Sequence, residues 1–373
     1  MGLFDKFFKG GGDPPSQDQP ADDASPGWDA ITAACRRAYP DQPDPLHYGT
    51  LIKYVLGGPD PIDGFDVYRA VDPVPHWHYV SYGFSDLYET DPPEPSTDDE
   101  PTASGYGFEL TFRLADPAAS DPAAAPPVWP INLIQNLARY VFRSGNTFAA
   151  GHHIDANGPI AAEEETDITA LLFIADPDLG SIETPRGTVD FLQGVGITAD
   201  ELEAVTTWTS SGFTGVIAEK YPRGVTDLTR NSVLTDPEVR QRVVEGRQRD
   251  GSSQGTVYVS DVTVTERGSD TVVVLSTVAA NALLTALPTR LPYGKSLVLA
   301  GGEGALLFDS GAVSTWIRDG GFVDIKLTDD ALARLLGEVK PLPGTFRALG
   351  LDGLEFEVVP VPGQEDEADT VTP

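Results

Sequence analysis

The chain has 373 residues and is 40% hydrophobic, which is enough to bury more than one core, and ordinary domain sizes favour two domains. Its 57 acidic and 25 basic residues leave a formal net charge of −32, so the surrounding field repels phosphate backbones and attracts basic partners. This charge argues against direct nucleic-acid binding. An acidic surface also keeps proteins soluble and is typical of high-GC or salt-adapted organisms.

We expect no secretory signal at the amino terminus. The first residues, MGLFDKFFKGGG, have a short apolar face and two lysines but lack an apolar core and a cleavage site, and Lys6 breaks the myristoylation pattern. The segment fits a small docking anchor or a frayed, solubilising start. No apolar run is long enough for a membrane helix, and Cys35, the only cysteine, allows no intrachain disulfide. We expect a cytoplasmic protein with a disordered tail over residues 1–26.

The first elements of the ordered chain alternate between helix and strand signals. Residues 28–38 have apolar positions at helical spacing, and Pro40 ends that pattern. Residues 51–56 and 65–70 are predicted to be strands on either side of a turn rich in glycine and proline. Residues 76–84, HWHYVSYGF, are predicted to be a strand with His76 and His78 on the same face.

The histidine pair leaves several interpretations open. His76 and His78 could form half of a zinc site that His47, His152 or His153 completes together with carboxylates. They could equally be hydrogen-bonded structural residues. A Ser-Asp pair follows at 85–86, but the chain has no G-x-S-x-G motif, so the sequence gives little support for a hydrolase.

The remainder of the first domain contains further strand and helix patterns. Residues 89–104 are predicted to be a solvated acidic loop, and the alternating residues 105–114 should pair with 76–84 as an antiparallel hairpin. The other elements predicted are a helix near 130–142, strands over 168–175 and 188–196, a helix capped by Thr198, and a helix from Asp236. The arginines of this last helix should pair with nearby carboxylates, and the alternative is an anion or partner site.

A short Gly-Ser linker, residues 251–255, predicts the boundary between the two domains. Beyond it we expect strands and helices in mixed order, an α+β arrangement. The strands are predicted at 256–265, 271–276, 296–299, 305–308, 322–327 and 354–359, and the helices at 278–287 and 328–339. The domains are therefore predicted to span 27–252 and 256–361, and residues 362–373 form an acidic tail. No phosphate-binding loop is present, since GGEGAL at 301–306 lacks the required lysine.

Several motifs, taken in order, resemble the Suppressor of fused family. They are CRRAYPDQPDPL, KYVLGGPDPID, PHWHYVSYGFSDLY, GYGFELTFRL, WPINLIQNLARYVF, SGNTFAAGHH, TPRGTVDFLQGVGIT and TDPEVRQRVVEGRQRDGSS. The resemblance covers residues 28–255 closely, and residues 257–360 resemble the family's C-terminal domain. It implies an α+β fold of two mixed α/β-sheet domains of the Suppressor of fused type joined by a short linker.

The resemblance also implies a function. Animal members are non-enzymatic regulators of Hedgehog signalling that clasp a short motif of a Gli-type transcription factor as an added strand between the two domains. Tyr140 matches a tyrosine at the family's ligand-binding surface, and His152 stands where the family has a ligand-facing aspartate. Because an imidazole replaces a carboxylate acceptor, Gli-like specificity is not expected to carry over.

The residue composition suggests a bacterial member of the family, in which no Hedgehog pathway exists. We therefore expect a protein or peptide partner, for which the acidic charge favours a basic character, with Tyr140 and His152 as partner-binding residues and no cofactor, metal, nucleic-acid or membrane partner. An immunity protein that neutralises a toxin is one version of this function. The alternative is an uncharacterised metal-binding protein or enzyme that uses His76, His78, His152 and His153.

Overall fold

The computed structural model describes residues 25–88, 102–302, 304–347 and 350–361. Most of the predicted tail at 1–26, most of the acidic loop at 89–104 and the C-terminal acidic tail lie outside these ranges. The predicted tail is wrong at its end, because Pro26 is the first residue of a helix. The chain divides into two compact units. The first contains Met1–Leu202 with Thr214–Asp236, and the second contains Glu203–Phe213 with Pro237–Pro373. The predicted boundary at 251–255 differs from this division, because the helix before it, Pro237–Asp250, belongs to the second unit. The domain limits stay a prediction.

A mixed eight-stranded sheet forms the centre of the first unit. Its strands run in the order β1-β2-β3-β4-β8-β6-β5, and β7 pairs with β8. Only the β4–β8 pair is parallel among these strands. The strands are β1 Leu46–Gly49, β2 Gly64–Ala70, β3 His76–Tyr82, β4 Ala103–Ala115, β5 His153–Asp155, β6 Ile168–Ala175, β7 Ser181–Thr184 and β8 Gly187–Thr198.

Both faces of this sheet are buried, which explains why β3 is apolar or aromatic at almost every position. Strand alternation directs Trp77 and Tyr79 into a core on one face, and Val80 and Tyr82 into a second core on the other. The first core is covered by helix α2, Trp129–Ser144, and the second by helix α1, Pro26–Ala38. Pro130 lies in the first turn of α2, and Gly145 ends the helix in the left-handed conformation.

Three further helices follow β8. They are α3 Ala199–Thr207, α4 Ser210–Lys220 and α5 Pro237–Asp250. Arg249 of α5 pairs with Asp250 at 2.6 Å and Arg247 lies 3.8 Å from Glu203, so these two arginines pair with carboxylates as predicted.

Two sheets and two helices surround the core of the second unit. The strand orders are β10-β11-β17-β16 and β14-β15-β13-β12-β9, and both helices contribute buried side chains to the core. Thr328 caps the second helix by accepting a hydrogen bond from the Ala331 amide, as predicted. The elements are β9 Thr256–Tyr258, β10 Val262–Arg267, β11 Asp270–Ser276, α6 Thr277–Ala286, β12 Leu297–Gly301, β13 Gly304–Ser310, β14 Thr315–Asp319, β15 Phe322–Leu327, α7 Asp329–Glu338, β16 Gly344–Arg347 and β17 Leu354–Val359.

The structure corrects two of the predicted elements. Residues 51–56 do not form a strand: Leu51 and Ile52 lie in bends, and Tyr54–Leu56 is one turn of 3₁₀ helix that ends at Gly57 with φ +88°. The apolar run there lies on the surface instead of pairing with a neighbouring strand. The single strand predicted over 256–265 is two strands, because β9 pairs with β12 whereas β10 pairs with β11.

The mixed α/β architecture and the antiparallel pairing of β3 with β4 are confirmed. Among the described residues, no helix is long and apolar enough to cross a membrane.

Candidate partner-binding edge

The short strand β5 lies at the end of the first unit's sheet and pairs only with β6 among the described strands. Two backbone hydrogen bonds bracket it: Phe173 donates to the His152 carbonyl at 2.8 Å, and Ala156 donates to the Thr169 carbonyl at 2.9 Å. Because strand backbone groups alternate in direction, the N–H and C=O groups of His153 and Asp155 point away from β6. This is an edge that another strand can extend.

The loop that leads into β5 is fixed by aromatic contacts. The Phe148 ring stacks on Phe173 of β6 with a centroid distance of 4.4 Å. The Tyr140 ring, at the end of α2, lies 5.9 Å from Phe148, and the Tyr140 hydroxyl accepts a hydrogen bond from the Asn146 amide at 2.9 Å. The C-terminal end of α2 and the open edge are therefore joined by one packed chain of side chains.

His152 stands on the exposed side of this loop. Its amide donates to the Ala149 carbonyl at 3.0 Å and its carbonyl binds β6, so the backbone is held while the imidazole is exposed. The structure thus connects the two predicted binding residues through Phe148 and Phe173. Tyr140 is half-buried and packs against the first core, whereas His152 is exposed.

His153 is the first residue of β5 and differs from its neighbour. Its side chain is half-buried, and its Nδ1 atom has no hydrogen-bond partner in the described part of the chain. Burial lowers the pKa of His153, and the adjacent His152 acts in the same direction. His153 is therefore neutral at pH 7.

A cavity of about 390 Å³ lies beside this loop and was not predicted from the sequence. It adjoins a bulge where the register of β4 against β8 shifts between Ala103 and Phe108. Gly105 and Gly107 adopt left-handed φ values of +57° and +84° in the bulge, a conformation that favours glycine. The two glycines, separated by one residue, are therefore the feature of the sequence that could have indicated the bulge. The cavity is lined by apolar side chains together with one carboxylate, among them Tyr106, Phe108, Phe148, Asp190, Phe191 and Leu192.

The histidines of β3 do not contribute to this edge. Strands β4, β8 and β6 lie between β3 and β5, so His76 and His78 are far from His152 and His153. The four histidines therefore do not form one site. Within the described ranges, no group of three or more His, Cys, Asp or Glu residues could hold a metal ion.

His78 instead belongs to a buried polar network. Its Nδ1 lies 2.7 Å from the Tyr39 hydroxyl, and its Nε2 lies 3.0 Å from an Asp176 carboxylate oxygen. The same carboxylate accepts hydrogen bonds from Arg113, which is fully buried, at 2.8 and 3.1 Å. Burial and the Arg113 charge lower the pKa of His78 to about 4, so the imidazole is neutral and its Nε2–H donates to Asp176.

The other candidates near β3 also have structural partners. His76 is buried and its Nδ1 lies 2.7 Å from the Val74 carbonyl. The Ser85 hydroxyl donates to the buried Glu109 carboxylate at 2.7 Å, and the Ser81 hydroxyl donates to it at 2.6 Å. Ser85 therefore helps hold a buried acid, which gives the serine of the Ser-Asp pair a structural role.

The second unit also presents an open edge. Strand β9 ends the five-stranded sheet and pairs only with β12 among the strands described. Tyr258, its last residue, is 83% exposed. Each unit, considered by itself, therefore offers a short edge strand.

Comparison with known proteins identifies the class to which this architecture belongs. The family model for Suppressor of fused protein matches residues 58–231, the part of the chain that builds most of the first unit. The chain is 41% identical over 238 residues to the human Suppressor of fused homolog and 40% identical over the same length to the mouse homolog. These matches cover 61% of this chain and 48% of each homolog, so the aligned part spans about half the length of the curated relatives.

Solved structures extend the comparison. The crystal structure of Drosophila Suppressor of Fused matches with a TM-score of 0.73 and 26% identity, covering 91% of this chain and 98% of that one. A chain of the Sufu-Fu complex crystal structure matches with a TM-score of 0.54 and 36% identity, covering 60% of this chain and 98% of that one. The chain belongs to the Suppressor of fused family, in which binding of a partner protein is known from the Sufu-Fu complex.

Proposed function

We propose that this protein is a non-enzymatic, cytoplasmic regulator that clasps a segment of a partner protein between its two domains. The segment adds as a strand to β5, and the N–H and C=O groups of His153 and Asp155 supply main-chain hydrogen bonds. The observation that carries the proposal is the open edge of β5, where alternate backbone groups point away from β6. Strand β9 is an edge of the second unit's sheet, considered by itself.

Tyr140 and His152 provide the side-chain part of the proposed site. Tyr140 is anchored through Phe148, which makes it a pre-organised aromatic contact, and His152 is exposed where it can contact the segment. Main-chain pairing supplies affinity, and side chains beside the strand select the sequence. Since His152 carries an imidazole, the preferred segment differs from one that requires a carboxylate at this position.

The net charge of −32 supports a basic partner. A strongly acidic protein attracts a positively charged partner over several ångströms and accelerates their encounter, and added salt weakens this attraction. In a bacterial setting, an immunity protein that neutralises a basic toxin domain fits this charge. Co-expression tests that version: the protein should restore growth to cells that express the cognate toxin domain, and unchanged lethality would overturn it.

Site-specific photo-crosslinking tests the proposed edge. A photo-reactive p-benzoylphenylalanine replaces His152, and the same residue replaces exposed Glu183 on β7 as the control. In extract of the source cells, we expect the position-152 probe to capture one defined segment that the position-183 probe does not capture. The captured segment is then synthesised and its Kd measured against purified protein.

The variant Asp155→Pro removes one outward N–H without removing a hydrogen bond to β6, and proline is tolerated on an edge strand. Asp155→Ala is the matched control, because the Asp155 carboxylate accepts a hydrogen bond from the Asn157 amide that both variants lose. We expect the proline variant to raise Kd at least about fivefold relative to the alanine variant, from a lost hydrogen bond and a steric clash. Equal Kd values would contradict strand addition at β5.

A further inference from the structure

The cavity at the β4 bulge has a carboxylate at its rim. The strand registers place Asp190 of β8 directly between Phe108 of β4 and Ser181 of β7, so these three residues form one row across three strands. Phe108 is buried in the first core, whereas Asp190 is exposed. The row therefore leads from the end of an apolar core to a charged group at the surface.

Aromatic rings form much of the cavity wall. The Phe148 and Phe108 rings meet in a T-shaped arrangement with their centroids 6.3 Å apart, and Tyr106 is a further lining residue. The rest of the lining includes four small residues: Ala149, Ala150, Ala175 and Gly180. The volume of about 390 Å³ is well above the ~150 Å³ that holds a benzene ring, so the cavity has room for a long side chain.

The Asp190 carboxylate is available to a ligand. Within the described ranges it has neither an ion-pair nor a hydrogen-bond partner, and no lysine, arginine or histidine lines the cavity. Because Asp190 is exposed, water solvates its charge in the free protein. A cationic group that enters the cavity can replace this water and pair with the carboxylate.

Aromatic walls beside a carboxylate favour a guanidinium over an ammonium group. A guanidinium is planar, donates two parallel hydrogen bonds to a carboxylate and stacks its faces on aromatic rings. Its aliphatic stem packs against apolar surface. The ammonium group of lysine is more strongly hydrated and binds as a point charge. The net charge of −32 favours either cation over an anionic or neutral ligand.

The cavity lies beyond one end of β5. His153, the first residue of β5, is paired with Leu172 of β6, and β6 continues from there to Ala175, which lines the cavity. Ala150 also lines the cavity and precedes His153 by three residues, at most about 11 Å along the chain. A segment that pairs with β5 and continues past His153 is therefore directed toward the cavity.

We infer that this cavity binds an arginine side chain of the partner protein, whose guanidinium pairs with the Asp190 carboxylate while its stem packs against Phe108 and Phe148. The inference rests on the proposed function for the source of the arginine, which is the segment that adds to β5. Binding of a guanidinium in the cavity does not itself require strand addition, so the two can be tested separately.

NMR titration of the full chain with single-residue probes tests the cavity. The probes are N-acetylarginine N-methylamide, its citrulline analogue, which has nearly the same shape but no charge, and its lysine analogue. We expect the arginine probe to shift the backbone amide signals of Ala149, Ala150 and Asp190, with a Kd at least about fivefold lower than that of the citrulline probe. The lysine probe should bind more weakly than the arginine probe, because it cannot form the paired hydrogen bonds.

The variant Asp190→Asn keeps the size of the side chain and removes its charge. It should raise the Kd of the arginine probe at least about fivefold and leave the Kd of the citrulline probe unchanged. Asp190 is exposed, so the fold does not depend on its carboxylate. Glu164→Gln is the matched control, because Glu164 is exposed and precedes the end of β6 that is opposite Ala175; it should change neither Kd.

Three outcomes would overturn the inference or part of it. Equal Kd values for the arginine and citrulline probes, or no effect of Asp190→Asn, would show that the cavity does not bind a guanidinium, and strand addition at β5 would still stand or fall by its own tests. A lysine probe that binds as tightly as the arginine probe would refute the choice of arginine. A captured partner segment that contains no arginine would refute the source assigned to the side chain.

Discussion

The buried His78 imidazole predicts how the stability of the first domain depends on pH. Burial and Arg113 hold the pKa of His78 at about 4, compared with 6.5 for an ordinary histidine. Between these two pH values the unfolded chain binds a proton at this position that the folded protein does not bind. The free energy of unfolding therefore falls as the pH is lowered through this window.

The size of the effect follows from the two pKa values. Each unit of difference between the folded and unfolded pKa corresponds to 1.36 kcal/mol of stability, so the whole difference contributes about 3 kcal/mol to the free energy of unfolding. About 2 kcal/mol of this contribution is lost between pH 7 and pH 5. The variant His78→Gln keeps an amide that can donate to Asp176 but has no titrating group. We expect it to be less stable than the unmodified protein at pH 7 by about 1–3 kcal/mol, because the contact with Tyr39 is lost.

Urea unfolding of the first domain at pH 7, 6 and 5 provides the measurement. The free energy of unfolding of His78→Gln should fall by about 2 kcal/mol less than that of the unmodified protein over this range. His152→Gln, which removes a surface histidine, is the matched control for the loss of an imidazole. Parallel pH dependence in His78→Gln and the unmodified protein would refute the assignment of a neutral, buried His78.

Three further changes test the packing and the helix cap that stabilise the two domains. Arg113→Met leaves the buried Asp176 carboxylate without its cation and should destabilise the first domain by about 3–5 kcal/mol in urea unfolding, whereas a loss below about 1 kcal/mol would contradict the ion pair. Gly27→Ala would place a methyl group 2.2 Å from the Asp86 carbonyl oxygen, so a lower Tm is expected, and an unchanged Tm would contradict this packing of α1. Thr328→Ala should cost the second domain about 1 kcal/mol through the lost helix cap, and Thr328→Ser should restore most of it.

Much of the fold could be predicted where local pattern and burial agree. The alternation in β3 and β4 identified both strands, their faces and their pairing, because a one-residue slip would exchange the side chains of the two core faces. The starts of α2 and α7 were identifiable from Pro130 in the first turn of α2 and from the capping residue Thr328, since these residues act through local backbone geometry.

The remaining elements depend on contacts that a local pattern does not contain. Residues 51–56 have the composition of a strand, but Gly57 and Gly58 turn the chain back onto Lys53, so a 3₁₀ turn forms. Three-residue β5 is too short for its alternation to be recognised, and only its pairing with β6 defines it.

The candidate site was predictable only in part. The resemblance to the family predicts Tyr140 and His152 as partner-binding residues, which stays a prediction. The structure adds the open β5 edge and the cavity at the β4 bulge. Both depend on strand order, which no run of adjacent residues specifies. The two histidines of β3 have the chemistry of metal ligands, so the sequence alone left both a metal site and a structural role open. The positions of Asp176 and Arg113 show that His78 is a hydrogen-bonded residue of the core.

Amide hydrogen exchange at β5, measured by NMR with and without the captured partner segment, tests strand addition most directly. Strand addition predicts that the amides of His153 and Asp155, which point away from β6, become at least about tenfold slower to exchange when the segment binds. The Ile154 amide, which faces β6, should change much less. A segment that binds with full affinity while the His153 and Asp155 amides exchange at their free rates would contradict the proposed mode of binding.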